Sequence, residues 1–196
     1  MEVQFAVSKI SKWASRVSGD TLEMIERPHG GLSMVLVDGQ TSGRSAKNIS
    51  NVVARKAVQL LGEGVRDGAA ARAAHDYLYT YRSGKVSATL NILSVDTRTR
   101  TIVISRNNEA PVLVHTAAEG FYLLDAESKA VGVHRNTKPV IAETPIEIGT
   151  IVVAFTDGLR HAGSLSGKGR SYDPNAAFQA IVDCGTRDAH AICDRL

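Results

Sequence analysis

Three aspartates carry the chemistry that this sequence offers most plainly. Asp20 follows Ser18-Gly19; Asp38 closes the apolar run Val35-Leu36-Val37 and precedes Gly39; Asp157 follows Val153-Ala154-Phe155-Thr156 and precedes Gly158. A carboxylate at the mouth of a buried strand is costly unless a positive or hydrogen-bonding group meets it. A glycine beside it permits an unusual backbone turn and leaves a carbonyl, or an approaching ligand, unobstructed. Convergent carboxylates with an exposed carbonyl are hard oxygen donors, the set Mg²⁺ and Mn²⁺ prefer, with water filling most of the octahedron. Asp-Gly is also an ordinary turn dipeptide, and any one site alone reads that way. Three at strand ends together favour a metal site.

The hydrophobic period says which elements must position them. Residues 2–10 alternate in the manner of a half-buried strand, with Val3, Phe5 and Val7 in step. Residues 20–27 and 32–37 read as a hairpin around Pro28-His29-Gly30-Gly31, whose strands frame Asp20 and Asp38. The period then turns helical, with Ile49, Val52, Val53, Ala57, Leu60 and Leu61 recurring until Gly62 and Gly64. A second helix, residues 67–81, follows. From Val86 the strand period returns over 86–95, 101–105, 111–115, 121–124, 140–148 and 151–156, with turns at Asp96-Thr97, Asn107-Asn108, Glu119-Gly120 and Gly149. The tail is helical, one segment near Pro174 with Asp173 as its cap and another over 188–196. Strands in two blocks around a helix pair predict an α+β domain: two packed antiparallel β-sheets flanked by helices, an α-β-β-α sandwich.

At 196 residues the chain reads as one domain, residues 1–196, and its 43% hydrophobic and 22% charged residues exclude a disordered, fibrous or coiled-coil class. The longest apolar runs, 34–37 and 151–155, are strand-sized, far below the roughly 18 residues of a membrane span. The first 20 residues lack the apolar core of a secretory signal, so a cytoplasmic protein with no membrane partner is expected. Cys184 and Cys193 are too few and too far apart for a disulfide framework or a zinc knuckle and read as reduced. A net charge of +3 without clustering, and only 5% aromatic residues, argue against a nucleic-acid partner.

Taken in order, Ser18-Gly19-Asp20, then Asp38-Gly39 leading through Ser42-Gly43 into a helix, then Thr156-Asp157-Gly158-Leu159 resemble the metal-dependent protein serine/threonine phosphatases of the PPM superfamily. Within it the chain is most similar to the SpoIIE-type branch and its small, single-domain stressosome phosphatases, over about residues 18–185. The resemblance implies the PPM sandwich and two Mn²⁺ or Mg²⁺ ions, with Asp20, Asp38, Gly39 and Asp157 as the metal set. Asp38 would bridge both ions, Gly39 would offer its carbonyl, Asp157 would hold one ion, and Asp20 would hold the other directly or through water. Asp38 and Asp157 are therefore the expected catalytic residues. The implied reaction is hydrolysis of phosphoserine or phosphothreonine by a metal-bound hydroxide, without a phosphoenzyme, two ions roughly 4 Å apart activating the water and neutralising the phosphoryl oxygens. The implied partners are phosphorylated bacterial regulatory proteins, STAS-domain stressosome components among them, with the enzyme acting as a monomer.

Three departures accompany the resemblance. The loop after Asp38 reads Gly39-Gln40-Thr41-Ser42-Gly43, without the Gly-His-Gly of larger relatives but close to the stressosome form. Arg16 lies near the phosphate-binding arginine of eukaryotic relatives, and its offset favours no phosphate role. The family's C-terminal Asp-Asp and following strand are not found, the chain reaching Asp194-Arg195-Leu196 in a helical pattern. A catalytically impaired phosphoprotein-binding module of the same fold is therefore the alternative, with a metal-dependent nuclease or phosphodiesterase third. Among the remaining residues, Arg44 and Lys47 read as solvated charges, Trp13 as packed under the sheet, and His161 as a loop histidine. Residues 159–171 read as a specificity loop.

Overall fold

The computed structural model describes residues 2–9, 17–160 and 173–196. Strands β1 (Asp20–Glu26) and β2 (Leu32–Gly39) form the expected hairpin, closed where the Arg27 N–H donates to the Gly31 carbonyl at 3.0 Å. Gly31 sits at φ 94°, and a Cβ there would fall 2.0 Å from the Val95 carbonyl oxygen, so that turn admits only glycine. Helices α1 (Gly43–Gly62) and α2 (Asp67–Arg82) follow. Six strands come next: β3 (Ala88–Asp96), β4 (Thr101–Asn107), β5 (Val112–Thr116), β6 (Gly120–Leu124), β7 (Val140–Pro145) and β8 (Ile151–Val153). The short α3 (Asp157–Arg160), then α4 (Pro174–Asp183) and α5 (Ala189–Arg195), complete the described chain. Asp173 caps α4, its carboxylate accepting from Asn175 N at 2.9 Å, as its place before Pro174 implied.

The strands form two antiparallel sheets, ordered β1-β2-β3-β4-β7 and β6-β5-β8. Period-two alternation sorts their side chains into three apolar layers. Val35, Val37, Leu90 and Ile92 face Ile49, Val53, Ala57, Leu61 and Leu78 of α1 and α2. Ile104, Val112 and Val114, with Leu93, Tyr122 and Val152, fill the space between the sheets. Leu113, with Leu123 and Val153, packs on Ala177, Ile181 and Ile192 of the C-terminal helices. This is the α-β-β-α sandwich the sequence predicts.

Two expectations need correction. Residues 2–9 join no sheet; Val3 and Phe5 are half-buried while Gln4 Oε1 accepts from Ala189 N at 3.2 Å, so the alternation reflects packing near α5 rather than a ladder. The last strand stops at Val153, three residues short of its expected end at Thr156. Phe155 is nonetheless buried, and Asp157 opens a helix immediately beyond it.

Candidate active site

The hairpin register pairs Asp20 directly with Asp38. Because Thr21, Val35 and Val37 face the helices, their neighbours Asp20 and Asp38 face the second sheet at one end of the sandwich. Like charges opposed across a strand pair repel, so packing alone would not select them. Asp157, at the start of α3, reaches the same point from the second sheet. Asp38 lies within hydrogen-bonding reach of both the Asp20 and the Asp157 carboxyl groups. Its own carboxyl is pushed up to about 8, first by burial, then by the charge and hydrogen bond of Asp20, then by those of Asp157. Among the described residues, no three His, Cys, Asp or Glu side chains enclose an ion by themselves. The acids thus meet through Asp38 rather than around a shared centre.

The glycines beside these acids serve close approach rather than turning. None of Gly19, Gly39 and Gly158 has a positive φ, which corrects the expected unusual turn. A Cβ on Gly39 would lie 2.0 Å from the Ala46 carbonyl oxygen, and one on Gly19 would lie 2.8 Å from Ala46 Cβ. Both glycines therefore let α1 press its first turns against the strand ends. At Gly158 the nearest atom to such a Cβ is Thr156 Oγ1 at 3.6 Å, so space there does not demand glycine. The left-handed backbone falls instead on Thr41 at φ 77° and Gly43 at φ 73°. A β-branched residue in that region is strained and persists only where its surroundings hold it. Here Gln40 N donates to the Ser87 carbonyl at 3.0 Å and Gln40 Oε1 accepts from Ser87 N at 2.9 Å.

Asp20 is held on its backbone as well. Its N–H donates to Ser18 Oγ at 3.2 Å, which gives the serine of Ser-Gly-Asp a purpose. Lys47, on α1, donates to the Asp20 carbonyl at 2.7 Å and to Thr21 Oγ1 at 2.9 Å. The same Thr21 hydroxyl shares a hydrogen bond with Ser50 at 2.7 Å and donates to Asn51 Oδ1 at 2.8 Å. Lys47 is thus half-buried and bonded, not solvated, whereas Arg44 is exposed as expected.

Residues 106–108, whose last two read as a simple turn, form a buried knot. Arg106 is 2% exposed, and its guanidinium donates to the carbonyls of Asn108, Ala110 and Ala126. Asn108 Nδ2 donates to the Phe155 carbonyl at 3.1 Å, fixing the chain two residues before Asp157. The one sequence signal for this was a polar triplet continuing an apolar strand. Asn91 pairs with Arg106 and shares a sheet face with Thr89, the partner of Asp38. It is buried, and its Oδ1 has no hydrogen-bond partner. His75 accepts from Gly132 N at 3.0 Å within the core. Both cysteines are free. Trp13, Arg16, His161 and all of the specificity loop beyond Arg160 lie outside the described residues.

The fold is that of a PP2C-type phosphatase domain. The family model for Stage II sporulation protein E (SpoIIE) matches residues 28–196, so the chain belongs to the SpoIIE family of protein serine/threonine phosphatases. No curated protein sequence matches it. The PP2C phosphatase domain of SpoIIE from Bacillus subtilis, solved with a fragment of its regulatory domain, superposes at TM-score 0.76 with 17% identity over 91% of this chain. The match covers 52% of that chain, so the present sequence spans about half its length. RsbX in complex with magnesium superposes at TM-score 0.71 with 14% identity, over 94% of this chain and 81% of that one. The catalytic domain of the serine/threonine phosphatase PstP, in complex with two manganese ions, gives TM-score 0.65 and 11% identity, over 92% and 83%. At these identities the likeness is one of fold.

Proposed function

We propose that this chain is a Mn²⁺- or Mg²⁺-dependent phosphatase that hydrolyses phosphoserine or phosphothreonine on bacterial regulatory proteins, acting as a cytoplasmic monomer. The observation that carries the reading is the meeting of three acids at one end of the sandwich, the partly buried Asp38 carboxyl lying opposite Asp20 and within hydrogen-bonding reach of both Asp20 and Asp157. Both charged groups acting on Asp38 are acidic, and a divalent cation is what relieves such crowding. The donor set fits: carboxylate and carbonyl oxygens are hard ligands, and Mg²⁺ keeps several waters, so a closed three-acid cage is not required. The orphaned Asn91 Oδ1 on the same sheet face would accept from one of those waters.

In this reading the carboxylates of Asp38, Asp20 and Asp157 and the backbone carbonyl of Gly39 would hold the ions. When bound, the ions supply Lewis acidity, lowering the pKa of water and neutralising phosphoryl oxygens. The chain's own part is placement: the hairpin register fixes Asp20 to Asp38, and Asn108 through the Phe155 carbonyl fixes Asp157. The sequence resemblance to the stressosome phosphatases favours STAS-domain stressosome components as substrates, and no described helix is long and apolar enough to cross a membrane. The test is Mn²⁺-dependent phosphate release from a phosphoserine STAS-domain protein. Release abolished by Asp38→Ala supports the proposal; tight binding of the phosphoprotein without release, in the wild type with Mn²⁺, makes the chain a binding module instead.

A further inference from the structure

We propose that Lys47 is a positioning residue that fixes Asp20 against Asp38 and thereby sets the affinity of the site for divalent cations. The inference rests on the metal reading of that site. Asp20 is the first residue of β1, which lies at the edge of its sheet, and it follows a glycine that has no side chain to anchor it. A terminal strand pair frays readily, and setting two acids opposite each other also disfavours the pairing.

Lys47 opposes both tendencies. It stands one residue after Ala46, whose backbone the Gly39 position touches, and its ammonium takes the Asp20 carbonyl at 2.7 Å and the Thr21 hydroxyl at 2.9 Å. One side chain thus ties the helix that follows Asp38-Gly39 to the strand end that carries Asp20. Lys9 adds a second, longer bond to the same carbonyl at 3.3 Å. Placing an ammonium there is not a packing choice. Lys47 is half-buried, and drawing an ammonium out of water works against its charge. An unbranched apolar side chain would fill the same space without that cost. What it could not do is donate to Asp20.

The groups that orient metal ligands typically change affinity 10- to 100-fold when removed. Lys47→Met is accordingly expected to weaken Mn²⁺ binding, read by titration calorimetry on the purified chain, by about tenfold. Phosphatase activity should show a raised Mn²⁺ requirement with a smaller change in kcat at saturating Mn²⁺. Lys47→Arg, which keeps donors at this position, should recover most of the affinity. Ser50→Ala removes a partner of Thr21 without touching the Asp20 carbonyl, and should lower thermal stability while leaving Mn²⁺ affinity unchanged. Should Lys47→Met fail to fold, Lys47→Leu, which also lacks a donor, is titrated under the same criteria. Wild-type binding with unchanged affinity in the Lys47 variant overturns this inference alone. A wild-type chain that binds no Mn²⁺ overturns it together with the metal reading.

Discussion

The two ends of the β1–β2 hairpin bury charge in opposite ways. Beside the turn, Asp67 at the start of α2 is 6% exposed, takes a hydrogen bond from Ser94 and faces the Arg27 guanidinium at 3.7 Å, and Ser94 bonds Ser33 across the sheet at 2.6 Å. Every member of that group has a partner of complementary character, so it stands without outside help. At the open end Asp38 meets Asp20 and Asp157, and its neighbours raise its pKa instead of satisfying its charge. Buried charge answered by opposite charge and hydroxyls holds a fold together; buried charge answered by more of the same sign is completed by something that arrives.

Substitutions at the two ends should therefore differ in sign. Asp38→Asn is expected to reduce phosphate release about a thousandfold, since the ions it would hold provide the main stabilisation of transferring charge. The same change should raise the thermal midpoint of the metal-free protein, because it removes a repulsion. Asp67→Ala should do the reverse, costing about 3 kcal/mol of stability by leaving Arg27 and Ser94 unanswered, while Mn²⁺ affinity measured on the folded protein stays the same. A destabilised Asp38→Asn would break the contrast.

Gly39→Ala sits between these cases. Its Cβ would meet the Ala46 carbonyl at 2.0 Å, so α1 must retreat. The expected cost is about 2 kcal/mol, seen in urea unfolding, together with weakened Mn²⁺ binding; Gly158→Ala, with its nearest neighbour at 3.6 Å, should leave stability unchanged. A further effect is with pH. Asp38 keeps its proton to about 8 when folded and metal-free but releases it near its ordinary 3.8 when unfolded. The folded state alone binds that proton between those values, so metal-free stability falls as pH rises from about 4 to about 8 and levels above. Thermal melts of Asp38→Asn should lack this decline, and a wild-type midpoint that climbs across the same interval would contradict the assigned crowding.

What the sequence disclosed follows from local physics. Alternation and glycine punctuation gave the hairpin and both central helices, and hence the opposition of Asp20 and Asp38, because register in a short hairpin is set by its turn. Asp157 was legible as an acid at the end of an apolar run, although the strand itself ends at Val153. Pattern failed where a residue's meaning depends on distant backbone. The alternation at Val3, Phe5 and Val7 matched a strand but found no ladder. Lys47 and Arg106 are charged residues that normally face water, and only the folded chain shows which carbonyls they serve. Gly39 was expected to permit an unusual turn and instead admits the close approach of α1, which leaves no local trace in the sequence.

The central claim is that Asp20, Asp38 and Asp157 together form a divalent-cation site. Anomalous diffraction from crystals soaked in Mn²⁺ tests it most directly. Peaks within coordination distance of the Asp38 carboxylate, with Asp20 and Asp157 on either side, are the predicted result. Mn²⁺ bound only elsewhere on the surface, with Asp38 bare, would contradict it.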